Sequence, residues 1–158
     1  MNTLVVYFSK FGNTRQIAKA LAETFEAVGP ARALPMDRLT AADLSEAGLV
    51  VMGCPTHRMN LPEAVPPVFE ALPRRLLPKT PVAAFDTSYK MSGFLARFTA
   101  AKKLDHKLRK LGGKRIVPPE TFYVVEREGP LHDGEIERAG AWAASILDRV
   151  SPSGRGSE

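Results

Sequence analysis

The sequence predicts an α/β fold: a five-stranded parallel sheet of order 2-1-3-4-5 between two layers of helices. Three observations carry this. Near-continuous apolar runs rich in Val, Leu and Phe recur at 3–8, 48–53 and 81–86, as strands buried on both faces require. Between them lie segments whose apolar residues repeat at helical spacing. The two kinds of segment alternate along the chain, and parallel strands joined through helices make a doubly wound sheet. A chain of 158 residues suits one such domain.

The first strand is Thr-Leu-Val-Val-Tyr-Phe at 3–8. A helix over 14–28 follows, with Ile17, Leu21, Phe25 and Val28 on its buried stripe, and Gly29-Pro30 stops it. A short strand is expected at 31–36. Thr40 with Asp43 three residues later marks the start of a short helix over 40–46. Gly48 to Gly53 is the third strand. Pro67 disfavours the α conformation at Pro66, so an irregular turn precedes a helix at 67–72. Residues 81–86 form the fourth strand. A long helix from Phe94 to Leu111 carries Phe94, Phe98, Ala101, Leu104, Leu108 and Leu111 on one stripe, and Gly112-Gly113 ends it. A fifth strand region covers 115–125, broken near Pro118-Pro119. The last helix starts near Asp133 and buries Ile136, Ala139, Ala143, Ile146 and Val150, with Glu135 and Glu137 at the positive end of its dipole. The domain is expected to span 1–150, and the polar tail 151–158 to be disordered.

Composition narrows the function. The amino end carries no basic leader, and no apolar run is long enough for a membrane span. The single cysteine, Cys54, cannot form an internal disulfide, which suits a cytoplasmic setting; it is expected to be a small packing residue. The histidines stand too far apart for metal-ligand spacing. The net charge of +5 is concentrated at 97–115, where Asp105 is the sole acid among many lysines and arginines. That segment reads as a solvated face, or as a dock for an acidic redox partner or an anionic head group. Without interleaved aromatics it does not read as a nucleic-acid site.

The doubly wound order places ligands at the carboxyl ends of strands 1 and 3. The loop after the first strand, Ser-Lys-Phe-Gly-Asn-Thr at 9–14, ends where a helix amino terminus must sit. Such a terminus offers unpaired N–H groups and a partial positive charge. Gly12 admits close backbone approach, and Ser9, Asn13 and Thr14 add polar side chains, so the loop reads as a phosphate cradle. Plain capping by Asn13 or Thr14 is the simpler alternative. The P-loop and dinucleotide fingerprints are absent. Ser9 and Arg15 keep the Cys-x5-Arg spacing of small tyrosine phosphatases, but a serine hydroxyl cannot replace their thiolate.

The chain resembles the flavodoxin family. Val5, Val6, Tyr7, Ser9, Gly12, Thr14, Ala18 and Leu21 fill every fixed position of that family's amino-terminal signature. Two further stretches, Gly-Cys-Pro-Thr-His-Arg-Met-Asn-Leu-Pro at 53–62 and Phe-Asp-Thr-Ser-Tyr-Lys-Met-Ser-Gly at 85–93, are similar to loops in the flavodoxin domains of flavodiiron proteins. The resemblance implies a flavodoxin-like three-layer sandwich holding one non-covalent FMN. Ser9, Lys10, Phe11, Gly12, Asn13 and Thr14 would take its phosphate. Pro55, Thr56, His57, Arg58, Met59 and Asn60 on one side, and Thr87, Ser88, Tyr89, Lys90 and Met91 on the other, would take its ring. Tyr89 is the expected stacking face, with His57 and Met59 opposite.

Lys90 and Met91 stand where the related proteins have Gly and Trp, and the 56–61 loop has no glycine, with Asn60 its best substitute. Arg58 and Lys90 predict a higher potential than in the acidic low-potential flavodoxins. The expected function is electron carriage between a reductase and an acceptor, with an acidic redox protein docking on 97–115. One alternative is an FMN-dependent oxidoreductase acting on a quinone, a protoporphyrinogen-like or another small acceptor. A binding module without cofactor is the other.

Overall fold

The computed structural model describes residues 1–57, 60–90 and 99–150. Its sheet runs in the order β2-β1-β3-β4-β5, with β1 at Thr3–Tyr7, β2 at Ala31–Pro35, β3 at Leu49–Pro55, β4 at Pro81–Ser88 and β5 at Lys114–Arg115. All pairings between these strands are parallel, and β6 (Glu120–Tyr123) adds to β4 beyond β5. The two short strands are the expected fifth strand cut in two. Pro118 and Pro119 have no N–H to donate to the ladder, and the register along β4 advances by two residues across the break.

Alternate residues of each central strand point to opposite layers. Leu4, Val6, Val50, Met52, Val82 and Ala84 face α2 (Ala41–Ser45), α3 (Val65–Glu70) and α4 (Ala100–Lys110). Val5, Tyr7, Val51, Ala83 and Phe85 face α1 (Asn13–Phe25) and α5 (Glu135–Val150). The Phe85 ring lies flat against Gly53 of β3, where any Cβ would overlap it at 2.1 Å. Phe85 also meets Phe122 and Trp142 edge to face, at centroid separations of 5.9 and 6.1 Å. Such contacts add about 0.5–1.5 kcal/mol each beyond area burial. They fix the far end of β4 against β6 and α5.

Arg138 of α5 completes that lock. Its guanidinium stacks over Phe122, donates to the Thr121 carbonyl and pairs with Glu120 and Glu135. Glu135 in turn accepts the Tyr123 N–H at 2.7 Å, ending β6. The Arg138 hydrogen bonds hold the Glu135 carboxyl below its ordinary value, against the effect of burial.

Thr40 caps α2 reciprocally with Asp43, as the spacing predicts. Three helices differ from expectation. The first tightens into a 3-10 turn at Glu26–Val28, which takes Val28 off the stripe and leaves it 53% exposed. The third starts at Val65, not 67, because both prolines fall in its first turn, where an N–H has no intrahelical partner to lose. The fourth begins at Ala100. Thr99 is extended, so one helix does not run from Phe94 through to Leu111; residues 94–98 lie outside the described residues. On α5, Trp142 is buried while Ile136 is exposed and Val150 only half-buried. The tail 151–158 lies outside the described residues.

Candidate functional site

The carboxyl ends of β1, β3, β4 and β6 open onto one cleft of about 870 Å³, within the range of cofactor sites. Ser9, Lys10, Phe11, Asn13 and Thr14 line it from the first loop, Pro55, Thr56, His57 and Asn60 from the second, and Thr87, Ser88 and Tyr89 from the third. Gly12 and Lys90 are not among the lining residues. Gly12 works through its backbone, and the Lys90 ammonium turns aside to the Tyr123 ring, 5.7 Å from its centroid. Arg58, Met59 and Met91 lie outside the described residues.

The first loop leaves a helix end open. Gly12 is the N-cap of α1 at φ 96°, a left-handed conformation, and has no side chain to cap the helix; the Ser9 hydroxyl accepts the third amide, that of Arg15, at 3.4 Å and leaves those of Asn13 and Thr14 open. A Cβ on Gly12 would meet nothing within 4 Å, so the space before these amides is clear. The Ser9 hydroxyl accepts the Gly12 N–H at 3.0 Å and curls the loop into a cup. The polar side chains expected to serve as donors brace the cup from beneath. Asn13 is buried and donates to the Glu128 carbonyl at 3.1 Å. Thr14 shares a hydrogen bond of 2.8 Å with the Thr87 hydroxyl, tying the first loop to the third.

The second loop closes on itself through paired backbone bonds of 2.8 Å between His57 and Asn60. Its Thr56 N–H donates to the Thr87 carbonyl at 3.0 Å. The Thr56 hydroxyl donates to the Asp86 carboxylate at 2.5 Å and accepts the Ala100 N–H at 2.9 Å. Asp86 is fully buried and also accepts the Ala101 N–H at 3.2 Å, while its Oδ1 has no hydrogen-bond partner among the described residues. Burial raises its carboxyl above the ordinary range, opposed by the neighbouring Thr121 and Thr56 hydroxyls and the helix amides. Burial, and then the charges of Lys10 and Arg127, push His57 down toward the neutral imidazole. Cys54 is buried in the sheet, and burial raises its thiol well above its ordinary value, so it is a packing residue.

Sequence reasoning missed Phe8, the 61–64 segment, Val124 and Arg127, all of which line the cleft. Arg127 follows β6. Because that strand runs parallel to the others, the loop after it must reach the same rim.

The family model for flavodoxin matches residues 5–142. The chain belongs to the flavodoxin family. Flavodoxins bind FMN, and FMN is the cofactor here. Among solved structures, an archaeal flavodoxin is similar at 21% identity and TM-score 0.74, covering 95% of this chain and 99% of that one. Flavodoxin 1 from Bacillus cereus is similar at 17% identity and TM-score 0.77, covering 96% and 100%. The rubredoxin:oxygen oxidoreductase of Desulfovibrio gigas is similar at 22% identity and TM-score 0.73 over 96% of this chain, which spans 36% of that protein. A search of curated protein sequences found no match. This flavodoxin's cleft fits its cofactor on its own terms: a helix end whose first two amides are open can take a phosphate, and an exposed Tyr89 face can take a flat ring. No helix among the described residues is long and apolar enough to cross a membrane.

Proposed function

We propose that this chain is an electron carrier, holding FMN with its phosphate in the 9–14 cup and its ring between the second and third loops. Bound FMN supplies one- and two-electron transfer. The observation that carries the reading is the pair of open amides at the amino end of α1, Asn13 and Thr14, on a cleft walled by His57 and Tyr89. The amides of Asn13 and Thr14, first in the helix, have no intrahelical acceptor and suit phosphate oxygens. Lys10 and Arg127, on the cleft wall, add positive charge. Their field favours an electron-rich ring, so the expectation of a raised potential passes from Lys90 to these two residues.

Tyr89 is 45% and Phe11 41% exposed, so aromatic surface lies at the cleft mouth for contact with a partner. That partner is a redox protein, acidic and docking on the basic segment around α4, in a cytoplasmic setting. Titration of the purified protein with FMN tests the reading: a yellow 1:1 complex supports it, and a protein that stays colourless removes it. Stopped-flow oxidation of the reduced complex then separates carrier from oxidoreductase. A carrier passes electrons to protein acceptors faster than to soluble quinones, and the reverse order makes it an enzyme.

A further inference from the structure

Beside the cleft lies a second, shallower groove of about 460 Å³. Lys102, Lys103, His106, Lys107 and Lys110 of α4 form one wall, with Leu61 and Pro66 opposite. Asn60 and Leu61 line both cavities, so the groove runs up to the rim of the cleft. No carboxylate is among its described lining residues.

The lysines stand at helical spacing, Lys103 and Lys107 four residues apart and Lys107 and Lys110 three, with Lys102 beside them, and like charges at this spacing repel. The acid on the helix does not relieve them. Asp105 is buried beside Arg109 and Arg115, at 3.6 and 3.4 Å. The helix dipole accounts for Lys107 and Lys110 in the last turn. It does not account for Lys102 and Lys103, which sit near the amino end, where cations are disfavoured; the helix has no acid in its own first turn, and the Asp86 carboxylate at that end is buried among amides rather than exposed beside the lysines. Nor are all these side chains free in solvent. Lys103 donates to the Asn60 side-chain oxygen at 2.8 Å, and Lys107 lies 5.6 Å from the Phe69 ring centroid.

We propose that this groove is the docking site of an acidic redox protein, which lays a carboxylate-bearing segment along α4 at the rim of the flavin cleft. The proposal rests on the carrier reading and assigns the surface that serves it. Uncompensated positive charge selects an acidic occupant. The apolar residues Leu61 and Pro66 supply the dry contact that protein interfaces place among their polar groups. A concave wall favours a protruding protein segment over a flat bilayer, and no aromatic is among the groove's described lining residues to stack bases. Lys103 connects the groove to the cleft. A partner carboxylate is a stronger acceptor than the neutral Asn60 amide oxygen. Docking therefore draws Lys103 off the loop that His57 and Asn60 close.

The test uses a reduced plant-type iron–sulfur ferredoxin, a strongly acidic protein, as electron donor to the FMN-loaded full chain. Binding is read separately by fluorescence anisotropy of labelled ferredoxin. Binding and the rate of flavin reduction are both expected to fall about ten-fold between about 20 and about 200 mM salt. The K103E/K107E/K110E variant is expected to lose about ten-fold at low salt, and K103Q/K107Q/K110Q less, with K19E on α1 unchanged. Circular dichroism and reduction by dithionite show that each variant is folded and loaded. The proposal is overturned if neither salt nor the triple variants alter binding and rate. It is equally overturned if phosphatidylserine vesicles or a DNA duplex bind the same face more tightly than ferredoxin. A colourless chain that still binds ferredoxin through these lysines would keep the dock and remove the carrier reading.

Discussion

Two helices start over the same edge of the sheet, and they finish that start in opposite ways. At α1 the cap is a left-handed glycine with no side chain, the Ser9 hydroxyl reaches only the third amide, Arg15, at 3.4 Å, and the amides of Asn13 and Thr14 have no acceptor among the described residues. At α4 the amides of Ala100 and Ala101 are already taken, by the Thr56 hydroxyl and by the buried carboxylate of Asp86. A helix amino end attracts an anion in either case. At α4 the chain supplies its own, and at α1 it leaves two amides open, as the proposed phosphate site requires. The same local device thus gives a structural joint in one place and a binding site in another, and what decides is whether a neighbouring loop carries an acid.

The largest predicted effect comes from making α1 resemble α4. Gly12→Asp puts a carboxylate where the phosphate oxygens would sit, and aspartate is among the residues that tolerate the left-handed region. Repulsion between the two anions in a partly buried cup is worth several kcal/mol at contact distance. FMN affinity should fall about 100-fold, roughly 2.7 kcal/mol, while the strain of a side chain at φ 96° lowers the thermal midpoint of the cofactor-free protein by the equivalent of about 1 kcal/mol. Fluorescence titration with FMN checks it, and an unchanged affinity would move the phosphate elsewhere.

The converse change empties the α4 end. Asp86→Ala removes the acceptor for Ala101 and the partner of Thr56, costing about 2 kcal/mol of stability, read as a lower thermal midpoint. Asp86→Asn keeps an acceptor in place, and its effect depends on pH. Burial raises the Asp86 carboxyl in the folded chain. The unfolded chain therefore ionises first, and the contribution of Asp86 to stability falls as pH rises from about 4. Asparagine does not ionise, so the variant should match the wild type near pH 3 and gain on it as the pH rises through the folded pKa of Asp86. A variant losing ground over that window would mean that the ionised carboxylate is the better cap.

Most of this architecture was legible in the chain itself. The buried runs at 3–8, 48–53 and 81–86 became the central strands, because a strand covered on both faces has no polar positions to blur the pattern. The signature at 5–21 led to the open end of α1. What the sequence concealed was long-range. Nothing local says that Asp86 turns inward to cap a helix fourteen residues later. Thr56 joins the same cap from a different loop, which is why the fourth helix was expected to begin too early. Arg127 was missed for a related reason. A charged loop residue carries no periodicity, and only the parallel course of β6 brings it to the cleft.

Smaller effects test how the two ends are joined. Thr14 and Thr87 share one hydroxyl bond between the first and third loops. Thr14→Val keeps the shape and removes the bond, leaving the buried Thr87 hydroxyl without it. The cost is about 1 kcal/mol, and FMN affinity should drop several-fold as the cup loses its brace, measured by the same titration.

The smallest change isolates the charge at the rim. Arg127 lines the cleft from the exposed 126–129 loop, close enough to act on His57 along with Lys10. An exposed cation contributes little in water, about 0.5–1 kcal/mol, and salt screens it. Arg127→Gln should therefore weaken FMN about three- to five-fold at low ionic strength and hardly at all at high. Riboflavin, which has the ring without the phosphate, separates the two places where this charge could act. If Arg127 serves the phosphate, riboflavin binding is untouched by the variant. If it serves the ring, both ligands lose equally and the potential of the bound flavin falls. The cup at α1 would then hold its phosphate by backbone amides alone, and the contrast with α4 would rest entirely on Gly12.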